Sequence, residues 1–167
     1  GYPDARFMKL IAELKPDQVT LVPDPPEILT SNTGWDTVKN KDFLSEIIQE
    51  LRLSGARISV FCNPEISMVE GAAQIEAHRI ELYTGPYAQD FVQNPAQALR
   101  SFVEAADVAK KIGLGVNAGH DLDLQNLKYL KKGIPYLAEV SIGHALFCDA
   151  LYYGIENTIQ MYRRQLQ

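Results

Sequence analysis

Apolar residues recur along this chain at two spacings that take turns. From Asp4 to Lys15, Phe7, Leu10, Ile11 and Leu14 fall at i, i+3, i+4 and i+7. That pattern predicts one buried helical face, with Asp4 placed to cap its start and Pro16 to stop it. Gln18 to Pro23 is short and rich in branched residues, as a strand should be. A long polar loop, Asp24 to Asn40, comes next, and loops of this length are more often functional than not. Helical spacing returns over Asp42 to Leu53 through Phe43, Leu44, Ile47, Ile48 and Leu51, with Gly55 suited to the C′ position. Arg57 to Cys62 reads as a second strand, Ile66 to Ala77 as a short helix, and His78 to Thr84 as a third strand ending in Gly85-Pro86-Tyr87. Asn94-Pro95 starts a helix that runs to about Ile112, where Gly113 ends it. A strand carrying Leu114 and Val116, a helix over Leu124 to Lys132 and a strand over Leu137 to Ile142 follow. The segment from Ala145 to the C-terminus reads as helical, with a break near Gly154.

Strands alternating with helices imply parallel pairing and right-handed crossovers. Short strands and Gly-rich turns favour a (β/α)8 TIM-type barrel over an open sheet. A full barrel needs eight units and typically ~250 residues. The 167 residues here supply about the last five strand–helix units. Residues 1–167 are therefore expected to be a single barrel domain whose N-terminal strands are absent from the chain. Neither an initiator Met nor a first strand precedes the helix at Asp4.

Composition narrows the class. A hydrophobic share of 46% and a charged share of 22% are those of an ordinary soluble globular protein. The formal net charge is −5 and the 16 Lys and Arg residues are scattered, so neither nucleic acid nor an anionic membrane is an expected partner. Apolar runs stay far below the ~18 residues that cross a bilayer. Cys62 and Cys148 sit far apart in apolar contexts, outside any metal-binding spacing, and are expected to be buried free thiols of a reducing cytosol.

On the barrel reading, five strand ends face one side. They bring Asp24 with the loop carrying Thr30, then Asn63, then Glu81 with Tyr83-Thr84-Gly85, then Asn117 with His120-Asp121, then Ser141 with Gly143-His144. Glu81 lies between Ile80 and Leu82, so it should point inward while its neighbours meet the helices. A carboxylate in that place is costly unless it is paired or catalytic, and the strands offer few interior cations, which favours a site role. Glu139 has the same pattern further from its strand end and is expected either to be structural or to support the site from behind the residues that touch substrate. His120 and His144 suit either proton transfer or the anchoring of loops. His78, at the opposite end, is expected at the surface. With neither HxH nor HExxH, no metal is expected. Gly119, Gly143 and the helix start after His144 offer backbone N–H groups to an oxyanion. Asp24-Pro25-Pro26-Glu27 and Trp35 suit a partner-binding loop or a lid.

Several stretches resemble the pyridoxine 5′-phosphate synthase family. They are Leu21-Val-Pro-Asp followed by Thr30, then Ile80-Glu-Leu-Tyr-Thr-Gly-Pro-Tyr-Ala88, then Leu114-Gly-Val-Asn-Ala-Gly-His120, then Ser141-Ile-Gly-His-Ala145. The resemblance runs in order along essentially the whole chain, and GLGVNAGH is its most specific piece. It implies a cytoplasmic barrel enzyme, assembled as a homo-octamer and using neither metal nor organic cofactor. Such an enzyme condenses 1-deoxy-D-xylulose 5-phosphate with 3-amino-2-oxopropyl phosphate and releases inorganic phosphate and water. Carried over residue by residue, Thr30 resembles the contact to the deoxyxylulose phosphate, Glu81 the charge-stabilising carboxylate and His120 the proton donor. Asp121, Gly143 and His144 match contacts to the amino-ketone phosphate. Asp121 stands where many members carry Gly, and its carboxylate would repel a phosphate unless only its N–H is used. The family's Asn/His pair, Arg, His-x-Arg group and further catalytic Glu, all on its first strands, have no counterpart in this sequence. These residues alone are accordingly expected to be inactive. The alternatives are another phosphate-binding barrel enzyme or a non-catalytic barrel remnant acting in assembly.

Overall fold

Asp4 accepts a hydrogen bond from the Phe7 N–H at 2.7 Å and so starts helix α1 (Ala5–Leu14), whose one fully buried residue is Ile11. The computed structural model describes residues 1–167. After α1 come β1 (Gln18–Leu21), α2 (Lys41–Arg52), β2 (Arg57–Cys62), α3 (Ile66–Gln74), β3 (Arg79–Tyr83), α4 (Gly85–Phe91) and α5 (Pro95–Lys111). The order ends with β4 (Gly115–Gly119), α6 (Leu127–Gly133), β5 (Glu139–Ser141), α7 (His144–Tyr153) and α8 (Ile155–Gln165). All five strands are parallel and pair in sequence order, β1 to β5. The result is an α/β half-barrel.

The strands carry two faces of opposite character. Val19, Leu21, Ile58, Val60, Cys62, Ile80, Leu82, Val116 and Ala118 point toward the helices and belong to one hydrophobic cluster with Leu44, Ile48, Val69, Phe102 and Leu127. Burying each large aliphatic side chain there contributes about 1.5–3 kcal/mol. The residues between them face inward: Gln18 and Thr20, Arg57 and Ser59, Arg79 and Glu81, Asn117, Glu139 and Ser141. Curvature brings the first and last strands together across this concave face. Gln18 Nε2 donates to Glu139 Oε2 at 3.0 Å, although the two residues are 121 positions apart.

Interior cations are present, against expectation. Arg57 and Arg79 both reach Glu139 Oε1, at 2.6 and 3.2 Å. Their partner is Glu139, which makes that residue structural, and Glu81 stays free of an ion pair. Three further expectations are corrected. The turn after β3 becomes a seven-residue helix, α4, which Pro86 helps to start. Trp35 is buried, stacked on Tyr2 with ring centroids 6.0 Å apart and packed against Phe43, because the end of the long loop folds back onto the core. It is not available to a partner. Cys62 is buried but Cys148 is exposed, because α7 buries none of its residues. No helix is long and apolar enough to cross a membrane.

Candidate active site

Strand β4 ends at Gly119, and the chain then turns sharply through His120 and Asp121, with φ of 90° and 55°. Non-glycine residues enter this left-handed region only when the surroundings hold them there. Here the buried Thr84 does so. Its N–H donates to the Gly119 carbonyl at 2.9 Å, and its hydroxyl reaches the carbonyls of both Gly119 (2.6 Å) and His120. Further on, Asn126 Nδ2 donates to the Asp121 carbonyl at 3.2 Å, and Asp123 caps the turn by accepting from the Gln125 and Asn126 N–H groups. The loop bearing His120 is thus tied to the scaffold at both ends.

His120 is the centre of the arrangement. Its Nε2 lies 3.0 Å from the Thr30 hydroxyl, and Tyr83 packs edge-on against its ring with centroids 5.1 Å apart. Asp121 Oδ2 comes within 2.9 Å of Nδ1 but off the direction of its N–H, so that buried nitrogen has a close carboxylate and no aligned hydrogen bond. Thr30 belongs to the long loop. Ser31 donates to Asp24 at 2.5 Å, and Gly34 N–H donates to Asn63 Oδ1 at 2.9 Å, which docks the loop on the end of β2. Gly34 has no room for a side chain, since a Cβ there would lie 2.3 Å from the Cys62 backbone.

Thr30, His120, Asp121, Ser141, Ile142, Gly143 and His144 line one cavity of about 560 Å³. Gly143 stands at the cap position of α7 without a side-chain cap, which leaves the first N–H groups of that helix to an anion. His144 opens the helix, and its Nε2 lies 3.7 Å from Cys148 Sγ. Glu81 is not on the cavity wall but beneath it. A Cβ on Gly119 would come 2.3 Å from Glu81 Oε1 and 3.1 Å from the Ser141 Cβ. Thr20 donates to Glu81 Oε2 at 3.3 Å, and Ser141 also hydrogen-bonds this carboxylate. Burial pushes the Glu81 pKa up and Glu139 adds to the rise, while the two hydroxyls oppose it. A raised carboxyl can hold or release a proton nearer neutral pH than an ordinary one. His78, at the other end of the strands, is exposed, and its Nδ1 accepts from the Ile58 N–H at 2.8 Å. No group of three or more His, Cys, Asp or Glu side chains converges as metal ligands would.

Five of the six candidate residues therefore meet in one cavity, and the sixth lies under its floor. Thr84, Asn126 and Tyr83 hold the site together. Of these, only their nearness to strand ends and turns was visible in the sequence.

A family model described as pyridoxal phosphate biosynthesis protein PdxJ matches residues 1–167. The chain belongs to this family. Its relatives include the pyridoxine 5′-phosphate synthases of Cytophaga hutchinsonii, 59% identical, Bacteroides fragilis, 54%, and Christiangramia forsetii, 50%. Each match covers all of this chain and 70% of the relative's length. Membership makes the cavity at the ends of β4 and β5 part of a biosynthetic enzyme's scaffold.

Proposed function

We propose that this cavity is the proton-donating, phosphate-holding part of a pyridoxine 5′-phosphate synthase site, where 1-deoxy-D-xylulose 5-phosphate and 3-amino-2-oxopropyl phosphate condense. The products are pyridoxine 5′-phosphate, inorganic phosphate and water, and no metal or organic cofactor takes part. The observation that carries this reading is the convergence of Thr30, His120, Asp121, Gly143 and His144 on one cavity. Thr30 contacts the deoxyxylulose phosphate. The N–H groups of Asp121 and Gly143, with His144, hold the amino-ketone phosphate. His120 gives its Nε2 proton to a leaving oxygen, and Glu81 stabilises positive charge that develops as the amine adds to the ketone. Imine formation, dehydration and ring closure each move protons near neutral pH, which suits an imidazole and a raised carboxyl.

The same reading extends to the whole protein. Strands β1 and β5 each keep one edge without a strand partner, and the relatives are longer than the matched region. Further strands between those edges would close a single (β/α)8 barrel. Helix α7 exposes Phe147, Leu151 and Tyr152, an apolar face that burial in a homo-octamer would cover. A cytoplasmic location fits substrates of this kind.

The test is His120→Asn in the complete protein. Turnover should fall by about 10²–10⁴-fold, the usual worth of a positioned general acid, with the melting temperature unchanged. Unchanged turnover refutes the role given to His120.

A further inference from the structure

Asp121 is the one candidate residue whose side chain conflicts with a phosphate contact, since a carboxylate beside a phosphate repels it. The backbone resolves the conflict. With φ of 90° at His120 and 55° at Asp121, the carboxylate is turned back along the imidazole ring, and Oδ2 stands 2.9 Å from Nδ1. That nitrogen is buried and has no aligned hydrogen bond, while Nε2 on the other side of the ring meets Thr30 at 3.0 Å. Tyr83 closes the edge of the ring. Among the residues of this chain that line the cavity, none is a Lys or Arg that would draw the carboxylate away from the ring. The Oδ2–Nδ1 distance is already that of a hydrogen bond, and only the direction of the N–H is out of line.

We propose that Asp121 is a positioning residue: its carboxylate takes the Nδ1–H of His120 as hydrogen-bond partner and so makes Nε2 the nitrogen that exchanges a proton with substrate. This rests on His120 being the proton donor, as proposed above. A group that fixes the proton on one ring nitrogen selects the other for chemistry. In the step, the nitrogen lone pair of the carbinolamine forms a C=N bond as the C–O bond of the departing hydroxyl breaks. The C–O electron pair stays on oxygen, and the Nε2 proton of the imidazolium joins that oxygen to form water, leaving a protonated imine. The imidazole is left neutral with its remaining proton on Nδ1, held by Asp121, which stays a carboxylate throughout. Phosphate contact at this position then falls to the backbone N–H alone.

The test uses the complete protein with Asp121→Gly and Asp121→Asn. Glycine and asparagine both accept the left-handed backbone at this position, so the loop keeps its course. Ring ¹⁵N chemical shifts in histidine-labelled protein report which nitrogen of His120 carries the proton. In the neutral ring that remains after proton donation, the native protein should show the Nδ1–H tautomer, and Asp121→Gly should shift the population toward Nε2–H. Turnover should fall by about 10- to 100-fold, the usual loss when such a supporting partner is removed. KM for both phosphates should stay within about twofold, and Asp121→Asn, which keeps an acceptor oxygen, should lose less. A rise in KM with kcat intact would make Asp121 a phosphate ligand instead and overturn the proposal. If His120→Asn abolishes turnover but neither Asp121 variant changes kcat or the ring shifts, the proposal alone falls. Full turnover in His120→Asn removes the reading of His120 and the proposal together.

Discussion

Glu81 occupies a place that would ordinarily repel a charge. It is buried, Glu139 faces it on the same concave surface, and only two hydroxyls and no guanidinium reach it. Its inward direction was legible from the apolar residues on either side, Ile80 and Leu82. The hydroxyl clasp was not, because Thr20 and Ser141 come from the first and last strands. A raised pKa means that the folded state holds this proton more tightly than the unfolded chain does. Stability contributed by the protonated form is complete below the unfolded value, 4.5, and is lost as pH rises through the raised folded value. Glu81→Gln, which cannot ionise, should therefore melt higher than the native protein at pH 8 by about 2–4 °C, the shift that on the order of 1 kcal/mol produces in a domain of this size. The gain should vanish at pH 4, and turnover should drop sharply; a lower melting point at pH 8 would contradict the burial argument. Gly119 tests the same carboxylate from above. Its φ is not left-handed, so alanine meets no backbone penalty, but its Cβ meets Glu81 Oε1 at 2.3 Å and the Ser141 Cβ at 3.1 Å. Gly119→Ala should cost about 1–3 kcal/mol through overpacking, read from urea midpoints, and should lower kcat as the carboxylate is pushed aside.

At the scale of elements, the ends of β3 and β4 act as one unit. Glu81 pairs in register with Asn117, and Tyr83 with Gly119. The residue after each strand, Thr84 and His120, then stay in contact through the Thr84 hydroxyl. That hydroxyl converts strand register into the position of the His120 ring. Replacing it with a methyl group of the same shape leaves the His120 carbonyl without this donor, a loss of about 1–3 kcal/mol when the group is buried. Thr84→Val should thus unfold at lower urea and lose turnover beyond what its stability loss explains, with faster amide exchange confined to residues 119–126. Uniform exchange along the chain would argue against a local clamp. Most elements were readable from periodicity, since α2 and α5 each bury one stripe, but the buried face expected of α1 is not found: only Ile11 is buried, and Leu10 and Leu14 are exposed. Helix α4 was not readable, because seven residues opening on Gly-Pro carry too little pattern to distinguish a helix from a turn. The bounds of β5 were overread for a related reason. Leu137 and Ile142 look strand-like, yet only Glu139 to Ser141 find a partner strand.

Across the whole molecule, the concave face is polar where barrels commonly fill their interior with branched aliphatic side chains. Glu139 is its hub, accepting from Arg57, Gln18 and Asn117 and forming an ion pair with Arg79, residues that sit on the four other strands. No local signal could reveal this, because the partners are brought together only when the sheet curves. The side chains of Arg57 and Glu139 are 41% and 40% exposed while that of Arg79 is 18% exposed, so the network lies between a weak surface pair and a fully buried one. Glu139→Ala would leave two guanidinium groups facing each other with their common acceptor gone. A loss of about 1–3 kcal/mol is expected on that footing. It should shrink at 0.5 M salt, where added ions screen the repulsion between the two arginines. The same substitution carries a second consequence at a distance. Glu139 helps to hold the Glu81 proton on, and removing it while freeing two positive charges acts twice in one direction, toward easier ionisation of Glu81. If turnover requires the Glu81 carboxylate, the acid limb of the pH–rate profile should move to lower pH in Glu139→Ala. It should stay in place when Arg100→Ala removes an exposed pair with Glu104 on the outer helix α5. An acid limb unmoved in Glu139→Ala would show that the polar interior braces the strands without setting the charge beneath the cavity.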